Sequence, residues 1–143
     1  MTHFYSAESV TAGHPDKLCD QIADTILDAC LANDPNSRVA CEVLATKSHI
    51  ILAGEISTPL IPDIGKMIRE AMKNAGYDPK DYEVQNFIHP QSPEIEAAIN
   101  DPLDTRGDPD AIGAGAQCVV VGYATAEPPE MLPLPVVLAH RLP

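Results

Sequence analysis

Two apolar stretches joined by a short polar turn decide the fold. They read Arg38-Val39-Ala40-Cys41-Glu42-Val43-Leu44-Ala45-Thr46, then Lys47-Ser48, then His49-Ile50-Ile51-Leu52-Ala53-Gly54-Glu55-Ile56-Ser57. In the first, Val39, Cys41, Val43 and Ala45 alternate with Ala40, Glu42 and Leu44, the period-two pattern of a strand with one buried face. Lys47-Ser48 is a plausible tight turn into the second strand, so a β-hairpin is expected. Glu42 falls on the less uniformly apolar face of the first strand. Glu55 lies near the end of the second, just after Gly54. Two acids in otherwise apolar strands either face water or have a partner, because burying a lone carboxylate is costly. The pattern alone leaves both open.

On the N-terminal side, Leu18, Ile22, Ile26 and Cys19, Ala23, Leu27, Cys30, Leu31 recur at helical spacing from Pro15 to Ala32. Asn33-Asp34-Pro35-Asn36 then ends the helix, since proline and the residue before it resist continuation. On the C-terminal side, Ile64, Met67, Ile68, Ala71 and Ala75 repeat the helical spacing over Pro62 to Ala75, and Gly76 is a natural stop. Tyr82 to Ile88 alternates again and reads as a third strand, and His3 to Ser6 as an opening strand. The expectation is a βαββαβ core over residues 1–90. It belongs to the α+β class, a mixed or antiparallel sheet with helices on one face.

Composition changes after His89. Gln91 to Asn100 reads as a short helix, with Ser92 as cap and Pro93 in the first turn. Asn100 to Asp110 holds four aspartates, two prolines and a glycine, with almost nothing to bury. Residues 91–112 are therefore expected to form a flexible loop, either a gate over a site or a plain surface insertion. Over residues 113–143, Gln117 to Tyr123 reads as a buried strand through Cys118-Val119-Val120-Val121. A proline-rich tail follows, and a helix is expected to begin at Val136.

The chain has 143 residues, enough for about one domain, and is 45% hydrophobic. Its net charge of −12 argues against nucleic acid or an anionic membrane as a partner held by long-range attraction. Any phosphate site must then be built locally, from helix ends, metals and a few cations. No apolar run approaches the roughly 20 residues of a membrane helix, and the polar first residues lack a signal-peptide pattern. Cytoplasmic location is expected. Cys19, Cys30, Cys41 and Cys118 show no C-x-x-C spacing, so buried reduced thiols are expected rather than a zinc or redox pair.

The chemistry concentrates in Glu8-Ser9-Val10-Thr11-Ala12-Gly13-His14-Pro15-Asp16-Lys17, where a loop enters the first helix. Gly13 lets the backbone turn, and Pro15 suits a first helical position. His14 and Asp16 flank a helix N-terminus, where free N–H groups and the dipole favour an anion such as a nucleotide phosphate with its magnesium. The same residues also make an ordinary polar cap.

Gly13-His14-Pro15-Asp16-Lys17 after Ser6-Ala7-Glu8-Ser9-Val10 resembles the opening signature of the S-adenosylmethionine synthetases. Further stretches agree in order: Asp34 to Glu42, Ala53-Gly54-Glu55-Ile56, Gln91-Ser92-Pro93-Glu94-Ile95, Gly113-Ala114-Gly115, Gly122-Tyr123-Ala124-Thr125, Met131 to Pro135 and Ala139-His140-Arg141-Leu142. The resemblance implies synthesis of S-adenosylmethionine from ATP and L-methionine, with the triphosphate cleaved to pyrophosphate and phosphate. It implies that His14 donates to a phosphate oxygen and that Asp16 binds magnesium, with Glu8 as a further acid of that site. Glu42 takes the place of a potassium ligand. Glu55 and Gln91 take the places that receive methionine, Glu55 pairing with its ammonium.

Two positions depart from the family pattern: Ala116 stands where an aspartate is usual, and Cys118 where a glycine is usual. Family sites form between subunits, so a complementary synthetase chain or a homo-oligomer is the expected partner. The alternative is a catalytically silent subunit that binds or regulates a complete synthetase chain.

Overall fold

The computed structural model describes residues 3–94, 97 and 119–142. Helix α1 spans Pro15–Asn33, strand β1 Arg38–Thr46, strand β2 His49–Ser57 and helix α2 Ile64–Asn74. A single 3₁₀ turn at Pro79–Asp81 leads into β3, Glu83–His89, and a last helix, α3, covers Leu134–Arg141. The strand order is β1-β2-β3, with β1 antiparallel and β3 parallel to β2. The sheet is mixed, and the molecule belongs to the α+β class as the alternation of periods implies.

The hairpin turns at Lys47-Ser48, where Ser48 adopts φ 60, and its carbonyl accepts from Glu83 N at 2.9 Å. That bond fixes where β3 starts beside β2. The β2-to-β3 connection passes through α2, as a parallel pair requires. Helices α1 and α2 cover one face of the sheet. Leu18, Ile22, Ile26 and Cys30 of α1 meet Ile50, Leu52 and Ile56 of β2, while Ile64, Ile68 and Met72 of α2 close the same core. Among the described residues no polar or charged side chain is buried as a whole. At its C-terminal end α1 is tied to the sheet by Ser37, whose hydroxyl donates to Cys30 O at 3.2 Å and meets Thr58 Oγ1 at 2.9 Å.

The opposite face of the sheet is left uncovered by the described residues. Register places Glu42 opposite Ala53 and Ala40 opposite Glu55, with Glu55 beside His89 on β3. Leu44 and Phe87 lie on this outer face, 59% and 58% exposed.

Two expected strands do not form. Residues 3–6 are irregular, with Phe4 and Tyr5 exposed. A four-residue run without a tight turn to a neighbour gains too few ladder bonds to offset its ordering entropy. Residues 119–125 are likewise irregular, and Val119, Val120 and Val121 are exposed rather than buried. An apolar run becomes a strand only where another edge receives it, and no described strand lies beside this one. Pro93, Glu94 and residue 97 are helical. Gln91 and Ser92 precede them without regular structure, while residues 95, 96 and 98–112 of the expected loop, Ala116 and Cys118 lie outside the described residues.

Candidate functional site

The loop from Glu8 to His14 is irregular, and it ends as the cap of α1. His14 is the N-cap residue, and its Nδ1 accepts from Asp16 N at 3.2 Å. With Nδ1 serving as acceptor, the neutral ring carries its proton on Nε2. The same N-terminus bears Pro15 at its first position and Asp16 in its first turn. Lys17 does not reach outward; its Nζ donates to Val10 O at 2.6 Å and closes the loop on itself. Ser9 Oγ meets His140 Nδ1 at 3.0 Å, which brings α3 against the same loop. Tyr77, just past the end of α2, donates its hydroxyl to Gly13 O.

Glu8 and Asp16 are both exposed. Among the described residues no group of three or more His, Cys, Asp or Glu side chains could hold a metal by itself. Magnesium keeps several waters and takes one or two carboxylates together with substrate phosphates. Asp16 therefore fits an ion that arrives with phosphates. Glu42 is exposed on the outer face and offers one hard oxygen donor; the rest of a potassium shell has to come from other groups.

Glu55 and Gln91 belong to a different corner. The Glu55 side chain is 30% exposed, with His89 Nδ1 at 4.0 Å from its Oε1. Gly54 precedes it at φ +142, and a Cβ there would stand 2.0 Å from Ala40 O. Only glycine admits so close an approach of β1 at that conformation. Gln91 follows β3, and its Oε1 is buried with no hydrogen-bond partner. A buried acceptor left unpaired is uncommon and marks a place where a donor belongs.

The candidate residues thus fall into two groups. The N-terminus of α1 lies at the hairpin-turn end of the sheet, where Pro15 and Leu18 line an open cleft of about 390 Å³ with Ala45, Thr46, Lys47 and the two tyrosines Tyr77 and Tyr82. Glu55 stands six strand positions beyond His49, about 20 Å away along β2, and on the other face. One copy of the chain does not bring His14 and Asp16 together with Glu55 and Gln91. His89 and Tyr77 were not legible as site neighbours, because a parallel register and a helix-end geometry decide their places.

Comparison with known proteins bears on what these two groups serve. The profile of the S-adenosylmethionine synthetase N-terminal domain matches residues 2–100, and that of the central domain of the same enzymes matches residues 111–143. The chain belongs to the S-adenosylmethionine synthetase family. It is 43% identical to an S-adenosylmethionine synthase of Prochlorococcus marinus (strain NATL2A), over 98% of this chain and 36% of the relative. It is 42% identical to the synthases of Desulforudis audaxviator and Clostridium botulinum, covering 38% and 39% of those proteins. This synthetase chain therefore spans little more than a third of the length of the curated relatives it matches. The family fold agrees with the mixed α+β sheet described above.

Proposed function

We propose that the chain contributes to S-adenosylmethionine synthesis from ATP and L-methionine as a part of a larger synthetase assembly. The observation that carries this reading is the His14 cap. Its Nδ1 is engaged by the Asp16 amide, so Nε2–H is the donor available at a helix N-terminus, where a phosphate anion is favoured. A thioether is a weak nucleophile, so rate must come from aligning sulfur with the ribose carbon and from stabilising the departing triphosphate. In this reading His14 donates to a leaving phosphate oxygen. Asp16, with Glu8, holds magnesium, which would neutralise part of the triphosphate charge when bound. Glu42 offers a ligand to potassium.

Glu55 receives the ammonium of methionine, and the unpaired Oε1 of Gln91 accepts from the same substrate. The flanking His89 keeps a second nitrogen base beside that carboxylate. The experiment is a product assay for S-adenosylmethionine beside an ATP-binding measurement, on His14→Asn in the assembled protein. The rate is expected to fall far more than ATP affinity. An unchanged rate would return His14 to a capping role.

A silent, regulatory subunit is the second reading. Ala116 favours it, since the aspartate usual at that place is missing and Cys118 replaces a glycine. Product formation by the chain with its partner chain rendered inactive separates the two.

A further inference from the structure

Gly13 is the weak point of the loop that carries His14. A glycine has no preferred turn of its own, so the direction in which the following imidazole leaves the chain depends on what holds the Gly13 carbonyl. That carbonyl accepts from the hydroxyl of Tyr77, 64 residues away. The other ties of the loop hold it away from that carbonyl: Lys17 Nζ to Val10 O at 2.6 Å, His14 N to Thr11 O at 3.0 Å, and Ser9 Oγ to His140 Nδ1 at 3.0 Å.

Tyr77 is itself fixed from both sides. Helix α2 ends with Gly76 at φ +89, its N–H donating to Lys73 O at 3.0 Å, while Tyr77 N donates to Met72 O at 2.9 Å. This paired capping pattern turns the chain sharply after the helix. Met72 is fully buried, so the anchor for the tyrosine backbone is part of the core. The ring is then braced edge-on by Tyr82, with centroids 5.8 Å apart and planes at 79°. The end of α2 also abuts the loop: a Cβ on Gly13 would lie 3.6 Å from Ala75 O.

We propose that Tyr77 is a positioning residue, a strut from the core end of α2 that sets the Gly13 carbonyl and through it the direction of the His14 imidazole. The proposal rests on the reading of His14 as a phosphate donor. A donor of that kind has to be held to within about 0.5 Å by groups that are themselves locked. A tyrosine pinned by a helix cap at one end and a ring at the other meets that condition at the Gly13 carbonyl itself, whereas the Lys17–Val10 and Ser9–His140 bonds grip the loop three and four residues earlier. The strut acts on no substrate atom.

Tyr77→Phe keeps the ring and removes the hydroxyl. Amide hydrogen exchange of the whole chain is expected to show His14 and Asp16 exchanging about tenfold faster, with Ile22 and Ile68 unchanged. Titration with inorganic triphosphate and magnesium is expected to show about a tenfold loss in affinity for Tyr77→Phe and for His14→Asn. The double variant should bind no more weakly than His14→Asn alone, since the strut acts through the histidine. Unchanged exchange at His14, with His14→Asn still impaired, overturns the strut and leaves the phosphate reading standing. Losses that multiply in the double variant make Tyr77 independent of His14 and overturn its positioning role. A Tyr77→Phe chain that loses cooperative unfolding makes the hydroxyl a folding requirement and also overturns it. Triphosphate binding unaffected by His14→Asn removes the phosphate reading and the purpose of the strut with it.

Discussion

His89 stands beside Glu55 across the parallel β2–β3 pair, its Nδ1 4.0 Å from the carboxylate Oε1. The pair shares the outer face of the sheet, where the described residues leave Glu55 partly open. If Glu55 receives a substrate ammonium, a permanent cation at position 89 has to compete with it. His89→Lys is expected to weaken methionine binding about fivefold, the size of one charge interaction near 4 Å when water screens it almost fully, about 1 kcal/mol. His89→Gln, which brings no charge, should leave affinity within about twofold. Isothermal titration of the assembled protein with methionine checks both. Equal affinity in the lysine variant would mean that the ammonium does not meet Glu55.

Gly54→Ala tests the backbone that presents Glu55. At φ +142 an alanine is strained, and its Cβ would fall 2.0 Å from Ala40 O, which the strand pairing fixes in place. A strained conformation costs about 1–3 kcal/mol before any clash is counted. Denaturant unfolding is expected to show a loss at the upper end of that range or beyond. A variant as stable as the wild type would mean that the β1–β2 pairing at Ala40 yields easily.

The hairpin was legible because Val39, Cys41, Val43 and Ala45 alternate cleanly and Lys47-Ser48 is a natural break. Both long helices were legible from Leu18, Ile22, Ile26 and from Ile64, Ile68, Ala71 at their spacings. The parallel pairing of β3 was not, since Glu83 to His89 carries no mark of which edge it will join; the Ser48–Glu83 bond decides that. The runs at His3 to Ser6 and Val119 to Val121 show the converse. Apolar alternation gives a strand only if a partner edge exists, and that is a property of the whole sheet. His14 and Asp16 were readable from Gly-His-Pro-Asp at a helix start. Their distance from Glu55 and Gln91 was not, because strand length and sheet face set it.

Burial pushes the thiols of Cys19, Cys30 and Cys41 up from their ordinary value. The charges of Asp16 and Asp20 add to this at Cys19, against a backbone hydrogen bond at Ala45, and Glu42 adds to it at Cys41. A raised thiol keeps its proton in the folded chain after the unfolded chain has lost it. Stability from these groups is therefore whole below the unfolded thiol range at about 8.5, and falls as pH rises from there through the raised values of the folded chain. Alkylation at pH 8, followed by peptide mass analysis, is expected to be at least about tenfold slower at these three cysteines in the folded chain than in denaturant. Equal rates would mean that the helix–sheet core opens readily.

The last prediction follows from the division of the candidate residues. His14 and Asp16 lie at the hairpin-turn end, and Glu55 about 20 Å along the sheet on its other face, with Gln91 two residues past its strand neighbour His89. A sulfur has to come within about 3–3.5 Å of the carbon it attacks. Methionine held at Glu55 therefore cannot meet a nucleotide held at His14 of the same copy. If two copies complete each other's sites, a His14→Asn chain and a Glu55→Gln chain are each inactive alone but complementary when mixed. In a random mixture of symmetric dimers half are mixed, and each mixed dimer has one intact site, so about a quarter of the unmodified activity should return. The measurement is S-adenosylmethionine formation after co-refolding, with light scattering to confirm the dimer. Inactivity of both single variants with no recovery on mixing would show that a different chain supplies the second half.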